Sequence, residues 1–313
     1  MIFIFKRDFM KIILIILILV NLAGCSTETE NSINEQSDVK KNEGVNVPSE
    51  QQNKKLSMAV VPSSNAIDLQ TVLKPLVNYL HTKLDSVVIL KFATNYEHIV
   101  DKLGTEYDFA LMGAYSYVES HKKNQTLPLV KSIRNGKASY KGIIITHKDS
   151  GIKSIADIKN KKKIKAVFTD RYSTSGFLYP AADIIKSGID INKDLEFKFV
   201  KGHDNVVKII SAKGADIGAC YQGAVEKYLT KEKSANIVII KETDEIPGDP
   251  LVIGKNIIEN KELKEKMLEA LVSLKEPAIL NSLAGGLEGY AVAADSDYDN
   301  LREKINLINQ YFK

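Results

Sequence analysis

The segment Asp170-Arg171-Tyr172-Ser173-Thr174-Ser175-Gly176-Phe177-Leu178 carries the clearest chemical signal in the sequence. It follows an apolar, strand-like run and opens a helical pattern. Hydroxyl residues at a helix start can cap it, while the free backbone NH groups and the positive end of the helix dipole form an anion site. A phosphoryl group, with three oxygens around one centre, can use several such donors at once. The alternative is an ordinary N-cap made by Ser173. A second feature, Gly202-His203-Asp204, follows the next strand-like run and again precedes a helical pattern. Imidazole can donate to an anion whether neutral or charged, and a nearby anion favours the charged form. A satisfied surface histidine is the alternative, but the C-terminal end of a strand is where open α/β sheets place their ligands.

Several other chemistries lack their residues. The five histidines (His81, His98, His121, His147, His203) show no HxxxH spacing, and Cys25 and Cys220 form no CxxC pair, so no metal is expected. There is no G-x-S-x-G elbow, H-E-x-x-H motif or P-loop, and no base is paired in sequence with the serines. No catalytic residue and no cofactor are expected.

The elements needed to position these residues follow from the hydrophobic pattern. Short β-rich runs alternate with helical stretches after residue 55, which is α/β architecture. Strands are predicted at Leu56–Val61, Val87–Phe92 and Phe109–Met112, with Leu69, Val72, Leu73, Leu76, Val77 and Leu80 at helical spacing between the first two. Pro75 should kink that helix or mark a late start. A second group of strands is predicted at Lys165–Phe168, Phe197–Val200, Asp216–Ala219 and Ile237–Ile240, closed by the turn Ile246-Pro247-Gly248-Asp249-Pro250. The expected architecture is two α/β lobes joined by two crossings: residues 56–146 with 247–313 as lobe 1, and 147–246 as lobe 2. The C-terminal helices, Lys261–Leu274 and Asp299–Tyr311, are expected to pack back on lobe 1.

The N-terminus reads as an export signal. Basic residues precede the apolar run Ile12–Val20, which is too short for an ordinary membrane span, and Leu22-Ala23-Gly24-Cys25 resembles a bacterial lipobox. Residues 1–24 are therefore expected to be removed and Cys25 lipidated; either Met1 or Met10 could start the same mature chain. Residues 26–55 are polar and cannot bury enough surface to order themselves, so 25–55 is expected to be a tether spanning roughly 30 Å. Half of the formal charge of +4 sits in the first eleven residues, leaving too small a surplus to argue for nucleic acid. The lone cysteine beyond the lipobox cannot staple the fold, which leaves stability to the core.

Taken in order, these segments resemble the phosphonate-binding family of ABC-importer solute receptors. Asp170 to Leu178, continued by Tyr179-Pro180, resembles the family's D-x-x-S-T-S-G-[FY]-L, and Gly202-His203-Asp204 its G-H-[DE], followed by Gly214-Ala215-Asp216. Tyr107 to Gly113 and Ile246 to Pro250 match further segments, and Tyr96 and Tyr140 fall where the family has binding tyrosines. The resemblance implies a two-lobed, type II periplasmic-binding-protein fold. It also implies a small phosphorus oxyanion held by Ser173, Thr174 and Ser175, with Tyr96, Tyr140 and His203 donating around it. Asp249 would accept from a protonated P–OH or pair with a ligand ammonium, unless it merely forms the turn. Ser63 and Ser64 offer further hydroxyls; Tyr115 and Tyr117 would line the cleft or only pack beneath it. Where aminoalkylphosphonate binders can carry an extra acid, this chain has Cys220-Tyr221-Gln222-Gly223, which points to a smaller or neutral-tailed ligand. An ABC permease and ATPase are the implied partners of a monomer anchored on the outer face of the cell membrane. A sensing lipoprotein of a signalling system and a phosphoester hydrolase are the alternatives.

Overall fold

A computed structural model describes residues 54–312 except 160, 162, 284 and 285. The expected signal segment, Cys25 and nearly all of the tether lie outside the described residues. The chain enters at β1 (Lys55–Val60) and continues through α1 (Ala66–Leu84), β2 (Val87–Phe92), α2 (Tyr96–Lys102), β3 (Phe109–Leu111), α3 (Ala114–Asn124) and β4 (Leu127–Arg134). It then crosses to β5 (Ser139–His147), the turn α4 (Ala156–Lys159), β6 (Ile164–Phe168), α5 (Tyr179–Lys186) and β7 (Leu195–Phe199). Next come α6 (His203–Ser211), β8 (Ile217–Tyr221), α7 (Ala224–Tyr228) and β9 (Ile237–Pro247), after which β10 (Pro250–Ile253) and β11 (Leu287–Val292) return.

Two sheets result, ordered β11-β4-β10-β3-β1-β2 and β7-β6-β8-β5-β9. The first is parallel at β2-β1-β3 and antiparallel around β10. Parallel strands need crossover helices, and those helices cover the sheet faces, which explains why β1 ends in three successive buried residues. Helix α1 starts where the Asn65 side chain accepts from Asp68 N at 3.0 Å, and it buries Leu69, Leu73, Leu76, Leu80 and Leu84 at helical spacing. Pro75 neither ends it nor delays it. The carbonyl that Pro75 deprives of a partner belongs to exposed Thr71, where water can replace the lost bond.

Three sequence expectations need correction. Residues 139–146, grouped with lobe 1 on sequence, belong to β5, which pairs antiparallel with β8 and β9 in the second sheet. The first crossing is instead the turn after Arg134, where Asn135 and Gly136 have φ of 49° and 70° and Arg134 and Lys137 exchange both backbone hydrogen bonds. That geometry is the two-residue turn favoured by Asn-Gly. The second crossing falls between β9 and β10, at Gly248–Asp249. Between the helix Lys261–Val272 and the C-terminal helix, where only helix was expected, β11 adds an edge to the first sheet.

The C-terminal helix Asp299–Asn309 also departs from its expected place on lobe 1. It packs against both α3 and α5, and Leu301 and Ile305 share one buried cluster with Tyr117 of the first lobe and Phe177 of the second. Lys304 Nζ reaches Asp244 of β9 at 3.1 Å, and Phe312 meets the Phe177 ring edge-on at 5.3 Å. Tyr298 donates to the Gly248 carbonyl at the crossing, 3.2 Å away. The terminal segment therefore braces the two lobes behind the hinge.

Candidate functional site: a cleft between the lobes

The hydroxyl run sits at an irregular helix start. Ser173 caps it by accepting from Gly176 N at 3.1 Å, as its spacing suggested. The turn that follows is wider than an α-helix: Leu178 N bonds Ser173 O, and Tyr179 N bonds Thr174 O, both five residues back. Regular α-geometry then starts with Pro180 in the first turn of α5, where its missing NH costs nothing. The widening is locked by Gly176, since a Cβ there would come within 2.5 Å of Thr169 Cβ and 2.8 Å of Ser173 Oγ. Ser173, Thr174 and Ser175 are each at least 97% buried, yet all three line one cavity.

That cavity has a volume of about 410 Å³. Tyr96, Tyr140, His203, Asp249, Ser63 and Ser64 line it together with the hydroxyl run, so residues scattered over the sequence meet in one place. Tyr115 and Tyr117 do not reach its wall. Tyr117 is fully buried and donates to Asp295 Oδ1 at 2.5 Å, and Tyr115 packs on Tyr172 with ring centres 5.6 Å apart.

The lobes touch across the cleft. Tyr115 N, an otherwise unpaired donor in the first turn of α3, bonds Thr174 Oγ1 at 2.9 Å, and His203 N bonds the Ser63 carbonyl at 2.9 Å. Asp170 in turn accepts from the backbone of Tyr96 and, at 2.9 Å, from Tyr172 N. In the bonds to Gly176 and Tyr115, Ser173 and Thr174 spend lone pairs; the Ser173 hydroxyl also bonds the Tyr96 phenol, and the Thr174 proton is left to donate.

Burial sets the protonation states. It raises the Tyr96 and Tyr140 phenols well above their usual range, with the negative charges of Asp170 and Asp249 adding to the effect at Tyr96 and that of Asp249 at Tyr140. Both remain donors at neutral pH. Burial also lowers the His203 imidazole to about 3, so the ring is neutral, with Nδ1 placed 3.2 Å from Thr169 Oγ1. Thr169 Oγ1 also reaches the Ala219 carbonyl at 3.4 Å: a Thr169 proton given there puts the ring proton on Nδ1, and one given to Nδ1 puts it on Nε2. Asp249 is raised by burial, opposed by Arg134 and by the Tyr140 hydroxyl, which donates to its Oδ1 at 3.0 Å.

Sequence reasoning missed Arg134, Lys227, Tyr221, Tyr228 and Ser132, all in the wall. Arg134 had a usable signal, the Asn-Gly dipeptide that directly follows it. Ser132 Oγ is buried without a hydrogen-bond partner. Among the described residues, no group of three or more His, Cys, Asp or Glu could hold a metal ion.

Two α/β lobes, two crossings and a donor-rich cleft between them define the type II periplasmic-binding-protein fold. A model of the family described as ABC transporter, phosphonate, periplasmic substrate-binding protein matches residues 58–298, and the chain belongs to that family. It is 25% identical over 271 residues to the phosphate-import protein PhnD of Mycolicibacterium smegmatis, covering 79% of this chain and 84% of the relative. To the phosphonates-binding periplasmic protein of Escherichia coli K12 it is 25% identical over 243 residues, 75% of this chain and 71% of the relative. Its fold is similar to that of PhnD1 from Prochlorococcus marinus (MIT 9301), solved in complex with methylphosphonate, with a TM-score of 0.73 at 21% identity, covering 82% of this chain and 99% of the other. Family membership makes the chain an exported, extracytoplasmic component of an ABC importer, with a small ligand and with a permease and an ATPase as partners.

Proposed function

We propose that this chain is the monomeric receptor of its importer, anchored through a lipid on Cys25, and that it binds a small phosphorus oxyanion, whether phosphonate, phosphite or phosphate ester, in the interlobe cleft. The observation that carries this reading is the burial of three adjacent hydroxyls, Ser173 to Ser175, in the wall of the interlobe cavity beside two phenols held in their protonated form. Such an array supplies donors from several directions to one tetrahedral centre, and closure over a ligand, by excluding water, strengthens each of them. The names of the relatives, phosphate import in one and phosphonates in another, agree with that chemistry.

Capture without a covalent step follows from the same groups. An imidazole lowered to about 3 is a poor general base at neutral pH, and His203 is directed to Thr169 instead of to a serine. Binding closes the lobes over the anion, and the permease receives the closed form.

Ser175→Asp would set a fixed negative charge in the hydroxyl run and should abolish binding of methylphosphonate and phosphate in calorimetry; unchanged affinity would show that the pocket is elsewhere. For the anchor, Cys25→Ser in cells should move the protein from the membrane fraction to the soluble fraction. A variant still found with the membranes would remove the lipid from the proposal.

A further inference from the structure

The turn that carries the three hydroxyls has a second face, held by a residue far away in the sequence. Bonding five residues back, as at Leu178 and Tyr179, is uncommon and occurs mostly as single turns at functional sites. Tightening it to the ordinary four-back pattern would remove one residue from the turn and rotate Ser173 to Ser175 by about 100° relative to α5, which takes hydroxyls out of the cavity wall. Gly176 fits the turn closely against Thr169. Phe177 holds it from the side away from the cavity. It is fully buried and outside the cavity wall, and its ring meets Phe168 of β6, Phe199 of β7 and Phe312 edge-on, with centres 5.2, 5.0 and 5.3 Å apart.

Phe168 and Phe199 lie opposite each other in the β6–β7 pairing, so they form a fixed floor under Phe177. Phe312 comes instead from beyond the helix Asp299–Asn309, a segment fastened to the first lobe by Lys131, whose ammonium pairs with Asp297 at 2.5 Å. The Phe312 ring also meets Phe197 at 5.7 Å, and Asn192 donates to the neighbouring Tyr311 carbonyl at 2.9 Å. Arg171 closes the contact from the other end of the hydroxyl run: its guanidinium lies 6.0 Å from the centre of the Phe312 ring and donates to the Phe312 carbonyl at 3.3 Å. Phe312 is thus gripped two residues before Ser173 and two residues after Ser175, without lining the cavity itself.

We infer that Phe312 is a positioning residue for the binding turn: its ring, clamped by Arg171, wedges Phe177 onto the second sheet and so keeps the five-back turn, and with it the three hydroxyls, facing the cleft. The inference rests on the reading of Ser173 to Ser175 as the oxyanion site. Hydrogen exchange and calorimetry on the full-length protein test it. Phe312→Ala should speed exchange of the Leu178 and Tyr179 amides at least tenfold relative to the amides of β6 in the same variant, and should weaken methylphosphonate binding at least tenfold. Phe312→Tyr, which keeps the ring, should restore both to within threefold of the parent. Leu301→Ala, a buried truncation in the helix Asp299–Asn309, should lower the unfolding temperature yet leave both within threefold. If Phe312→Ala does not fold, Arg171→Gln, at an exposed position, removes the clamp and should raise the same exchange ratio at least threefold. An exchange ratio and affinity unchanged in Phe312→Ala, or altered equally in Leu301→Ala, would overturn the positioning role. A parent that binds neither methylphosphonate nor phosphate would instead refute the oxyanion reading, and the exchange ratio would then decide the positioning of the turn by itself.

Discussion

Thr174 is placed to act twice, and replacing it separates the two roles. Its Oγ1 accepts from Tyr115 N across the cleft at 2.9 Å, and its proton is left for the ligand. Thr174→Val keeps the shape but leaves Tyr115 N without a partner when the lobes close. A buried, unmade hydrogen bond costs about 1–3 kcal/mol, and in the open form water can take its place, so the penalty falls on the closed form alone. A penalty of about 1–2 kcal/mol lowers the closed population, and hence the apparent affinity, roughly 5–30-fold. Loss of a donor to an anion adds about 1.5–3 kcal/mol, so the combined loss in affinity should be on the order of 10²-fold or more. Calorimetry with methylphosphonate reads the sum, and small-angle scattering of the ligand-free variant reads the opening separately. Thr174→Ser, which keeps the hydroxyl, should recover most of both. If Thr174→Val binds within threefold of the parent and scatters identically, Thr174 neither latches the lobes nor donates to the ligand.

Two further perturbations test the packing and protonation of the same wall. Gly176→Ala would force its new methyl against Thr169 and Ser173, so it should lose about 1–3 kcal/mol of stability and weaken ligand binding, whereas Gly136→Ala, with open space around it but φ of 70°, should cost about 1–2 kcal/mol of stability through backbone strain alone; thermal unfolding and calorimetry on both variants decide it. The His203 imidazole is lowered in the folded chain, from 6.5 to about 3, so the unfolded state takes up its proton first and stability is lost as pH falls through that window. His203→Gln should therefore lose less stability than the parent between pH 6 and 4, by up to about 1.4 kcal/mol per pH unit, in urea unfolding; parallel curves would mean the ring is not buried as a neutral group.

Much of this site could be read in the sequence because its residues lie in local motifs with a mechanical reason. The hydroxyl run needed a helix start directly after a strand, and β6 followed by the turn into α5 provides it. His203 likewise opens α6 after β7. What escaped was the part of the wall set by long-range pairing. Arg134 ends β4, a strand whose sequence LPLVKSIR alternates poorly and contains a proline, and which is fixed by β10 and β11 far along the chain. β11 itself contains Gly289 at φ 151° and a register shift, and carries no periodic signal strong enough to stand out from its helical surroundings. Lys227 and Tyr228 sit on a helix of five residues, too short for a period to show which face meets the cleft. The C-terminal segment is legible as a helix, but a helical pattern does not say which lobe it covers; Asp299–Asn309 covers both.

Asp249 tests how the cleft treats ligand charge. Its half-buried carboxyl is raised above the usual carboxylate range by desolvation and receives a hydrogen bond from Tyr140 at 3.0 Å. Arg134 opposes the rise but does not cancel it. A fully ionised oxyanion beside an ionised Asp249 would meet a like charge with little water to screen it once the lobes close on the ligand, which destabilises binding. A monoprotonated phosphonate avoids the conflict, because its P–OH donates to the carboxylate and one hydrogen bond replaces the repulsion. A sulfonate of the same shape carries no proton at neutral pH and cannot do this. Methylsulfonate should then bind at least 100-fold more weakly than methylphosphonate, about 2.7 kcal/mol or more. Asp249→Asn removes the negative charge and supplies a donor, so it should narrow that ratio to within tenfold. It should also flatten the pH dependence of phosphonate binding, since the variant no longer needs the ligand's proton. Competition calorimetry from pH 6 to 8 on parent and variant measures both effects. A sulfonate ratio unchanged by the substitution, with superimposable pH profiles, would leave Asp249 as a turn residue of the hinge and assign the selection of charge to Arg134 and Lys227.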